Sequence, residues 1–298
     1  MNSSAFALGW RMLWRDLRAG ELRLLLLAVT LAVGALTAVG FFSDRLQGGL
    51  QRDARQLLGG DVVVVSDNPP ATAWTQRAEA LGLQHTLTLT FPTMGRVLDA
   101  QGGATRLVAL KAVAAGYPLR GQLRLTRDAA DLAGQPTRGI PPRGAAWVDA
   151  ALLEALGLRL GGELLLGDAA FRLDGLIALE PDRGAGFMSF APRVMINAAD
   201  LPATALVQPA SRITWRLALA GADEAVRQYQ DWARGELKRP GVHGVRLESL
   251  DNGRPEMTRT LDRAQKFLNL VALLAALLSA VAVALAARGF AGRHLDDC

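Results

Sequence analysis

Three histidines and one cysteine are the residues of this sequence whose types most often do chemistry. His85, His243 and His294 are far apart, and none belongs to an H-E-x-x-H pattern, so their spacing does not predict a metal site. The single cysteine, Cys298, excludes an internal disulfide framework and a cysteine-based metal cluster. These residue types therefore predict no metal centre.

An acidic pair is the other candidate for chemistry. Glu180 and Asp182 flank Pro181, and two nearby carboxylates could share acid–base work. Acidic residues beside a proline in a loop are usually solvated, so we interpret them as surface residues. The glycines at 184 and 186 resemble part of a dinucleotide-binding loop but lack the third glycine and the strand-to-helix context, which favours a turn. We predict no catalytic residue and no cofactor.

Charge and composition exclude two further classes of protein. The 33 basic and 28 acidic residues are intermingled, so they do not form a nucleic-acid-binding surface. Half of the 298 residues are hydrophobic and only 20% are charged, which is too apolar for an ordinary soluble enzyme of this length and excludes disorder. The composition therefore predicts a membrane protein.

Two uncharged runs, 24–42 and 270–287, hold the excess of apolar residues. At about 1.5 Å per residue, the two helices would cover roughly 28 and 27 Å, close to the thickness of the bilayer core. A cleaved signal peptide is the alternative for the first run, and a buried core helix is the alternative for the second. The length of the first run and the flanking Lys266 and Arg288 of the second favour two transmembrane helices.

Arginines near the two runs predict the orientation. Four precede the first run and two follow the second, which places both termini in the cytoplasm and residues 43–266 outside. Before the first run, apolar residues at helical spacing predict an amphipathic helix over 1–23 that lies on the inner membrane surface. The arginines are Arg11, Arg15, Arg18, Arg23, Arg288 and Arg293.

Both predicted spans continue outward as helices, which we call the stalks. Leu46, Leu50 and Leu57 keep the helical period up to the glycines at 59 and 60, a common helix end, and predict a stalk over 43–60. The second stalk, 255–269, carries a heptad-like seam that runs into the second span. The seam residues are Met257, Leu261, Ala264 and Leu268. We predict that the two stalks pair and transmit movement.

The segment between the stalks alternates short strands and short helices. The pattern predicts a mixed α+β domain over 61–254, with a flexible excursion at 120–143, which is rich in glycine, proline and arginine. The predicted strands are 61–66, 83–91, 96–98, 105–113, 147–149, 163–166, 171–178, 193–197, 213–220 and 245–249. The predicted helices are 72–81, 150–156 and 222–237.

Several local motifs resemble those of the FtsX/MacB-like ABC transporter permeases. Gly-Gly-Asp-Val-Val-Val at 59–64 is similar to the opening of their periplasmic core domain, and the segment 156–175 is similar to a loop and hairpin of that domain. Leu-Glu-Pro-Asp-Arg-Gly at 179–184 and Phe-Ala-Pro-Arg-Val at 190–194 resemble the YbbP-like branch in particular. The resemblance covers essentially the whole chain.

The resemblance implies a fold, a location and partners. The fold class would be α+β, with two transmembrane helices and stalk extensions flanking a periplasmic MacB-like core domain. The chain would be a multi-pass protein of the cell inner membrane, without nucleic-acid partners, and would form a permease homodimer with a separate ABC ATPase subunit and an optional periplasmic partner. Residues 288–298 would begin a cytoplasmic segment, and because family permeases continue into further spans, we expect a fragment.

The function implied is mechanical. The permease would couple ATP hydrolysis in the ATPase to export or extraction of a lipophilic envelope substrate, without enzymatic activity of its own. The alternative is a two-span sensor with an external ligand-binding domain, and a third interpretation is a membrane-tethered enzyme. A sensor would be followed by a signalling region, whereas a permease would be followed by more hydrophobic spans.

Overall fold

The structure is a computed structural model that describes residues 21–184, 190–208, 211–249 and 255–294. Residues 1–20, which hold most of the amphipathic helix predicted over 1–23, lie outside the described residues. Residues 295–298 lie outside them as well. The chain divides into two compact units. Residues 51–255 form one, and residues 1–50 with 256–298 form the other.

The described residues contain five α-helices and an eleven-stranded sheet. The helices are α1 (Glu21–Leu58), α2 (Thr72–Ala80), α3 (Ala150–Leu156), α4 (Asp223–Glu236) and α5 (Pro255–His294). The strands are β1 (Val62–Ser66), β2 (Gln84–Arg96), β3 (Thr105–Val113), β4 (Leu123–Thr126), β5 (Gln135–Thr137), β6 (Ala145–Val148), β7 (Glu163–Leu166), β8 (Ala169–Leu179), β9 (Arg193–Asn197), β10 (Thr214–Ala220) and β11 (Val245–Ser249).

The strands form one sheet in the order β11-β1-β10-β2-β3-β9-β6-β8-β4-β5, and β7 pairs with β2 and β8. The pairs β3–β9 and β6–β8 are parallel, and the other pairs are antiparallel. The mixed α+β architecture predicted for this segment is confirmed.

The three short helices cover one face of the sheet. Leu152 of α3 packs in one group of buried side chains, and Trp74 of α2 packs with Tyr229 of α4 in another. Leu87 of β2 packs against both groups, so the helices share a face. Side chains alternate between faces along a strand, so the odd-numbered valines of β1 turn to the other face. There, Val63 packs with the end of α1.

The two strands predicted at 83–91 and 96–98 are a single strand, β2, which runs through a proline. Pro92 has no N–H to donate, so it can lie in a sheet only where no ladder bond is needed. Its partner on β3 is Ala109, whose N–H donates to the carbonyl of Pro192 on the opposite side. The nitrogen of Pro92 therefore faces the gap between the β10 and β7 pairings, where it costs no hydrogen bond.

The flexible excursion predicted at 120–143 is also wrong. This segment forms the hairpin β4–β5, and β4 pairs with β8. Arg124, one of the arginines that suggested solvent, donates instead to the backbone carbonyls of Ala133 and Gly134, at 2.5 and 3.0 Å. Gly134 closes the turn of this hairpin, and Pro136 lies within β5, where it pairs with Arg124.

The two long helices lie where the spans and stalks are predicted. Among the described residues, one segment, Lys266–Leu285 in α5, is long and apolar enough to cross a bilayer. Helix α1 contains the first predicted span, and within it the hydroxyl of Thr37 donates to the carbonyl of Val33 at 2.7 Å, as expected for a hydroxyl in an apolar helix. The first span remains a prediction.

Candidate functional site

The predicted stalk residues all lie in the two long helices. Leu46, Leu50 and Leu57 belong to α1, and the seam residues Met257, Leu261, Ala264 and Leu268 belong to α5. The side chains of Leu57 and Leu268 are half-buried. The pairing of the two stalks remains a prediction. The end of α1, by contrast, lies within the compact unit of residues 51–255, and the structure describes its contacts there.

Helix α1 ends at a glycine, as the sequence predicts. Gly59 has φ +76°, a left-handed conformation that glycine adopts without strain. Its N–H donates to the carbonyls of Arg55 and Gln56, both at 3.1 Å, which satisfies acceptors that the helix end would otherwise leave free. The carbonyl of Gly59 in turn accepts from the N–H of Arg120 at 3.3 Å. The helix end is therefore bonded to a distant loop.

Two arginines and a backbone amide hold the carboxylate of Asp61 just beyond this end. Arg120 donates to both of its oxygens, at 3.0 and 2.7 Å, and Arg55 lies 3.6 Å from one of them. The N–H of Gly221, which follows β10, donates to the same carboxylate at 3.0 Å. Arg55 also reaches Asp223 at 2.9 Å. We call these five residues the Asp61 clamp.

The Asp61 carboxylate is almost fully buried, with 2% of its side chain exposed. Its hydrogen bond raises the pKa of Arg120 above the ordinary value. A planar guanidinium that meets both carboxylate oxygens fixes orientation as well as distance. The clamp therefore sets how the end of α1 joins β1.

A second group of charges lies on the same face of the sheet. The ammonium of Lys111 is 2.7 Å from Glu180 and 2.7 Å from Asp182, and it donates to the hydroxyl of Tyr117 at 2.9 Å. The Tyr117 hydroxyl donates to Asp182, and Arg193 donates to the second oxygen of Glu180 at 2.7 Å. We call these five residues the Lys111 cluster.

The sheet register explains why the two cations of the cluster meet. Lys111 lies on β3 and Arg193 on the parallel neighbour β9, where Lys111 pairs with Met195 and Arg193 with Ala109. The two cations are thus two positions apart on adjacent strands and face the same side. Glu180 follows the end of β8 directly, so the segment 180–182 crosses over both strands.

Burial and pairing shift the pKa of two groups in the cluster. Burial raises the pKa of the Tyr117 hydroxyl well above its ordinary value, and the carboxylates of Asp182 and Glu180 raise it further. Burial also acts to raise the pKa of Asp182, but the charge and hydrogen bond of Lys111 outweigh it and hold that pKa below the ordinary value. Asp182 is therefore a carboxylate and Tyr117 a neutral phenol at neutral pH.

A neighbouring pair anchors the same segment from its other side. Arg183 donates to both oxygens of Asp149, at 3.2 and 2.8 Å, and the backbone N–H of Arg193 donates to Asp149 at 2.8 Å. Burial lowers the pKa of Arg183, but the hydrogen bond and charge of Asp149 outweigh it, and the pKa is raised. Segment 180–183 is therefore tied to β3, β9 and the end of β6.

This segment also packs against the end of α1. A Cβ atom added to Gly59 would lie 3.1 Å from Cβ of Asp182. A Cβ atom added to Gly121 would lie 2.8 Å from Cβ of Pro181 and 3.1 Å from the carbonyl oxygen of Gln56 in α1. Glycines at these positions let three backbones approach closely. A groove of about 700 Å³ opens beside them, with Asp53 and Gln56 of α1 on one wall.

The Lys111 cluster is closed to substrates. The side chains of Lys111, Glu180 and Asp182 are 3%, 0% and 5% exposed, and the charges of the cluster balance. One nitrogen, Nη1 of Arg193, is buried without a hydrogen-bond partner. Within the described residues, no three His, Cys, Asp or Glu side chains are grouped to hold a metal ion. The arrangement can fix geometry, but it gives a substrate no access to its acids and bases.

The interpretation of Glu180 and Asp182 as solvated surface residues is therefore wrong. Burial was not expected because their partners are distant in sequence: Lys111 precedes Glu180 by 69 positions. The signal that could have found them is Lys111 itself, the charged residue in the apolar run Leu-Val-Ala-Leu-Lys-Ala-Val at 107–113. A lysine in a buried strand needs a carboxylate.

The chain is similar to a known permease. It is 35% identical over 286 residues to the uncharacterized ABC transporter permease YbbP of Escherichia coli K12, which covers 96% of this chain and 34% of that protein. The chain therefore spans about a third of the length of this relative. No protein-family model matches the chain.

Two solved structures share part of the backbone arrangement, each at 12% sequence identity. The periplasmic region of MacB from Actinobacillus actinomycetemcomitans matches with a TM-score of 0.37 over 70% of this chain and 95% of that one. A permease domain from Porphyromonas gingivalis matches with a TM-score of 0.40 over 68% and 96%. The sequence relationship alone, over 96% of this chain, confirms the resemblance to the YbbP-like ABC transporter permeases.

Proposed function

We propose that this chain is part of a permease subunit that passes movement from membrane helices to an external domain. The observation that carries the proposal is the end of α1. The helix runs without interruption from Glu21 to Leu58 and is then bonded into the sheet through Gly59 and the Asp61 clamp. A helix that only anchored the domain to the membrane would need none of these bonds. A helix that transmits movement to the domain must be attached firmly at its end.

In this proposal the chain has the topology predicted from its arginines. The segments 24–42 and 270–287 cross the inner membrane, both termini are cytoplasmic, and residues 43–266 are periplasmic. A separate ABC ATPase supplies the energy, the permease acts as a homodimer, and the cargo is a lipophilic envelope substrate or a periplasmic partner. The segment Lys266–Leu285, which is apolar and not buried, supports the second span.

Co-purification tests the proposal against a sensor. The tagged protein is extracted from membranes in a mild detergent, and its partners are identified by mass spectrometry. We expect an ATPase subunit with nucleotide-binding motifs, together with ATP hydrolysis by the complex. A protein that instead purifies with a signalling kinase, or purifies without any ATPase, would contradict a permease role.

We further propose that the external domain is not an enzyme. His85 lies at the sheet surface, with Nε2 at 3.9 Å from Glu79, and His243 is exposed in the loop before β11. Replacement of either by alanine should leave ATP-linked function unchanged at matched expression. A loss of function in a folded variant would reveal a catalytic site.

A further inference from the structure

We propose that Lys111 is a positioning residue that holds the end of α1 at a fixed angle to the sheet. The proposal rests on the function proposed above and names the residues that make the lever rigid. Two sets of contacts hold the end of α1 to the rest of the domain, and Lys111 fixes the position of one of them.

The Asp61 clamp alone would act as a hinge. Its buried bonds converge on one carboxylate, that of Asp61, next to the last turn of α1. The remaining bond joins Arg55 to the exposed Asp223, and an exposed ion pair restrains the helix end only weakly. A single attachment fixes the position of a rod but leaves its tilt free. A second attachment on another side of the helix end is needed to fix the angle.

Segment 181–182 supplies the second attachment. Asp182 lies close to Gly59 and Pro181 lies close to Gly121, and a Cβ atom added to Gly121 would also lie 3.1 Å from the carbonyl oxygen of Gln56. These contacts are packing contacts without hydrogen bonds to α1. They resist tilting only as far as segment 181–182 is itself immobile.

Lys111 makes that segment immobile. It sits on β3, between β2 and β9 in the sheet, so its backbone cannot shift without breaking ladder bonds on both sides. Its ammonium holds both Glu180 and Asp182 at 2.7 Å, and its ammonium lies 4.4 Å from the centre of the Tyr117 ring. Without this cation, two buried carboxylates would face each other, and the segment would move towards water.

A buried ion cluster is not needed for stability alone. Replacement of buried ion pairs by apolar side chains of similar volume is often neutral or stabilising, whereas loss of one partner is strongly destabilising. The test therefore removes the lysine with its partners. The variant Lys111→Met/Tyr117→Phe/Asp182→Leu keeps charge balance and leaves the Glu180–Arg193 pair in place.

The measurement is the distance between two spin labels, one on α1 at Asp53→Cys and one next to β4 at Gln122→Cys, in the full chain with Cys298→Ser. Both sites are exposed and line the groove. We expect the triple variant to keep its thermal midpoint while its distance distribution broadens by about twofold, as when one of two fixed points of a hinge is lost. A merely structural cluster would leave the width of the distance distribution unchanged, whatever its effect on the thermal midpoint.

Two further variants keep the result decisive. Arg143→Met/Asp200→Asn removes a different ion pair of the same domain, 2.9 Å apart, and should leave the width unchanged. Tyr117→Phe removes only the hydroxyl that links Lys111 and Asp182, and should broaden the distribution partly even if the triple variant does not fold. An unchanged width in folded Tyr117→Phe or in the folded triple variant would overturn the proposal. This readout uses no ATP, so it fails or succeeds independently of the permease role.

Discussion

At the scale of single residues, charge placement separates this domain from a simple α+β core. Lys111, Glu180 and Asp182 are almost fully buried, and with Arg193, which pairs with Glu180, their charges balance and their hydrogen bonds converge. Desolvation of a lone charge would be costly, so each member depends on the others. The most family-specific stretch of the sequence, at 179–184, is therefore a set of internal ties and not a solvated loop.

Replacement of Asp182 by asparagine should reduce stability in a pH-dependent way. The pKa of Asp182 is lowered in the folded protein, so its contribution is present above the unfolded pKa of about 3.9 and is lost as pH falls through the folded pKa. At pH 7 we expect the free energy of unfolding to fall by about 3 kcal/mol, because the buried ammonium of Lys111 would lose one of the two carboxylates that neutralise it. Denaturant unfolding of wild type and of Asp182→Asn, at pH 7 and at lower pH, measures the difference in the free energy of unfolding.

The control for this prediction is Glu154→Gln, which changes an exposed carboxylate on α3. It should leave the free energy of unfolding nearly unchanged at every pH. The gap between wild type and Asp182→Asn should narrow below about pH 4, where the unfolded carboxyl is protonated. A constant gap across this range would mean that Asp182 is not held as a carboxylate by Lys111.

At the scale of elements, the sequence predicts most helices and strands but misses how they are joined. Alternation and turn residues locate β1, α2, α3, α4 and the β7–β8 hairpin closely, because these elements carry their own local pattern. The continuity of β2 through Pro92 and the hairpin β4–β5 are missed, because a local pattern treats proline and glycine as breaks, whereas pairing with distant strands decides the structure of both segments. The attachment of α1 to the sheet, through the Asp61 clamp and segment 181–182, depends on residues that are distant in sequence. A local sequence pattern does not predict such contacts.

The close approach at Gly121 gives a test of this attachment with a matched control. Gly121 has φ +83° and Gly116 has φ +85°, so alanine strains the backbone at both by about 1 kcal/mol. Only at Gly121 does the new Cβ meet Pro181 at 2.8 Å, since at Gly116 the nearest atom is 3.8 Å away on Leu119. Gly121→Ala should therefore lower the thermal midpoint more than Gly116→Ala.

The comparison isolates the packing of segment 181–182 against α1. Thermal unfolding followed by circular dichroism, with both variants in the same detergent, gives the two midpoints. Equal midpoints would mean that the loop at 121 moves away from Pro181 without a cost in stability. Segment 181–182 would then not hold the end of α1 firmly.

At the scale of the whole molecule, we propose that α1 and α5 carry movement from the membrane to an external domain. The topology can be tested with a membrane-impermeant maleimide. We expect Gln208→Cys, at an exposed site of the external domain, to be labelled in cells whose inner membrane is intact, and the native Cys298 to be labelled only after permeabilisation. The reverse pattern would contradict the predicted orientation.

The central claim is that ATP hydrolysis moves the external domain through continuous helices. The most direct measurement is energy transfer from a donor on Glu154→Cys, in the Cys298→Ser background, to acceptor lipids in proteoliposomes with the ATPase partner. Proline at Ala264, within α5, removes a backbone hydrogen bond and kinks the helix at a cost of about 3 kcal/mol or more. We predict that ATP changes the transfer efficiency in wild type and not in Ala264→Pro, while both hydrolyse ATP. An unchanged ATP response in Ala264→Pro, or no response in a wild type that hydrolyses ATP, would contradict the account.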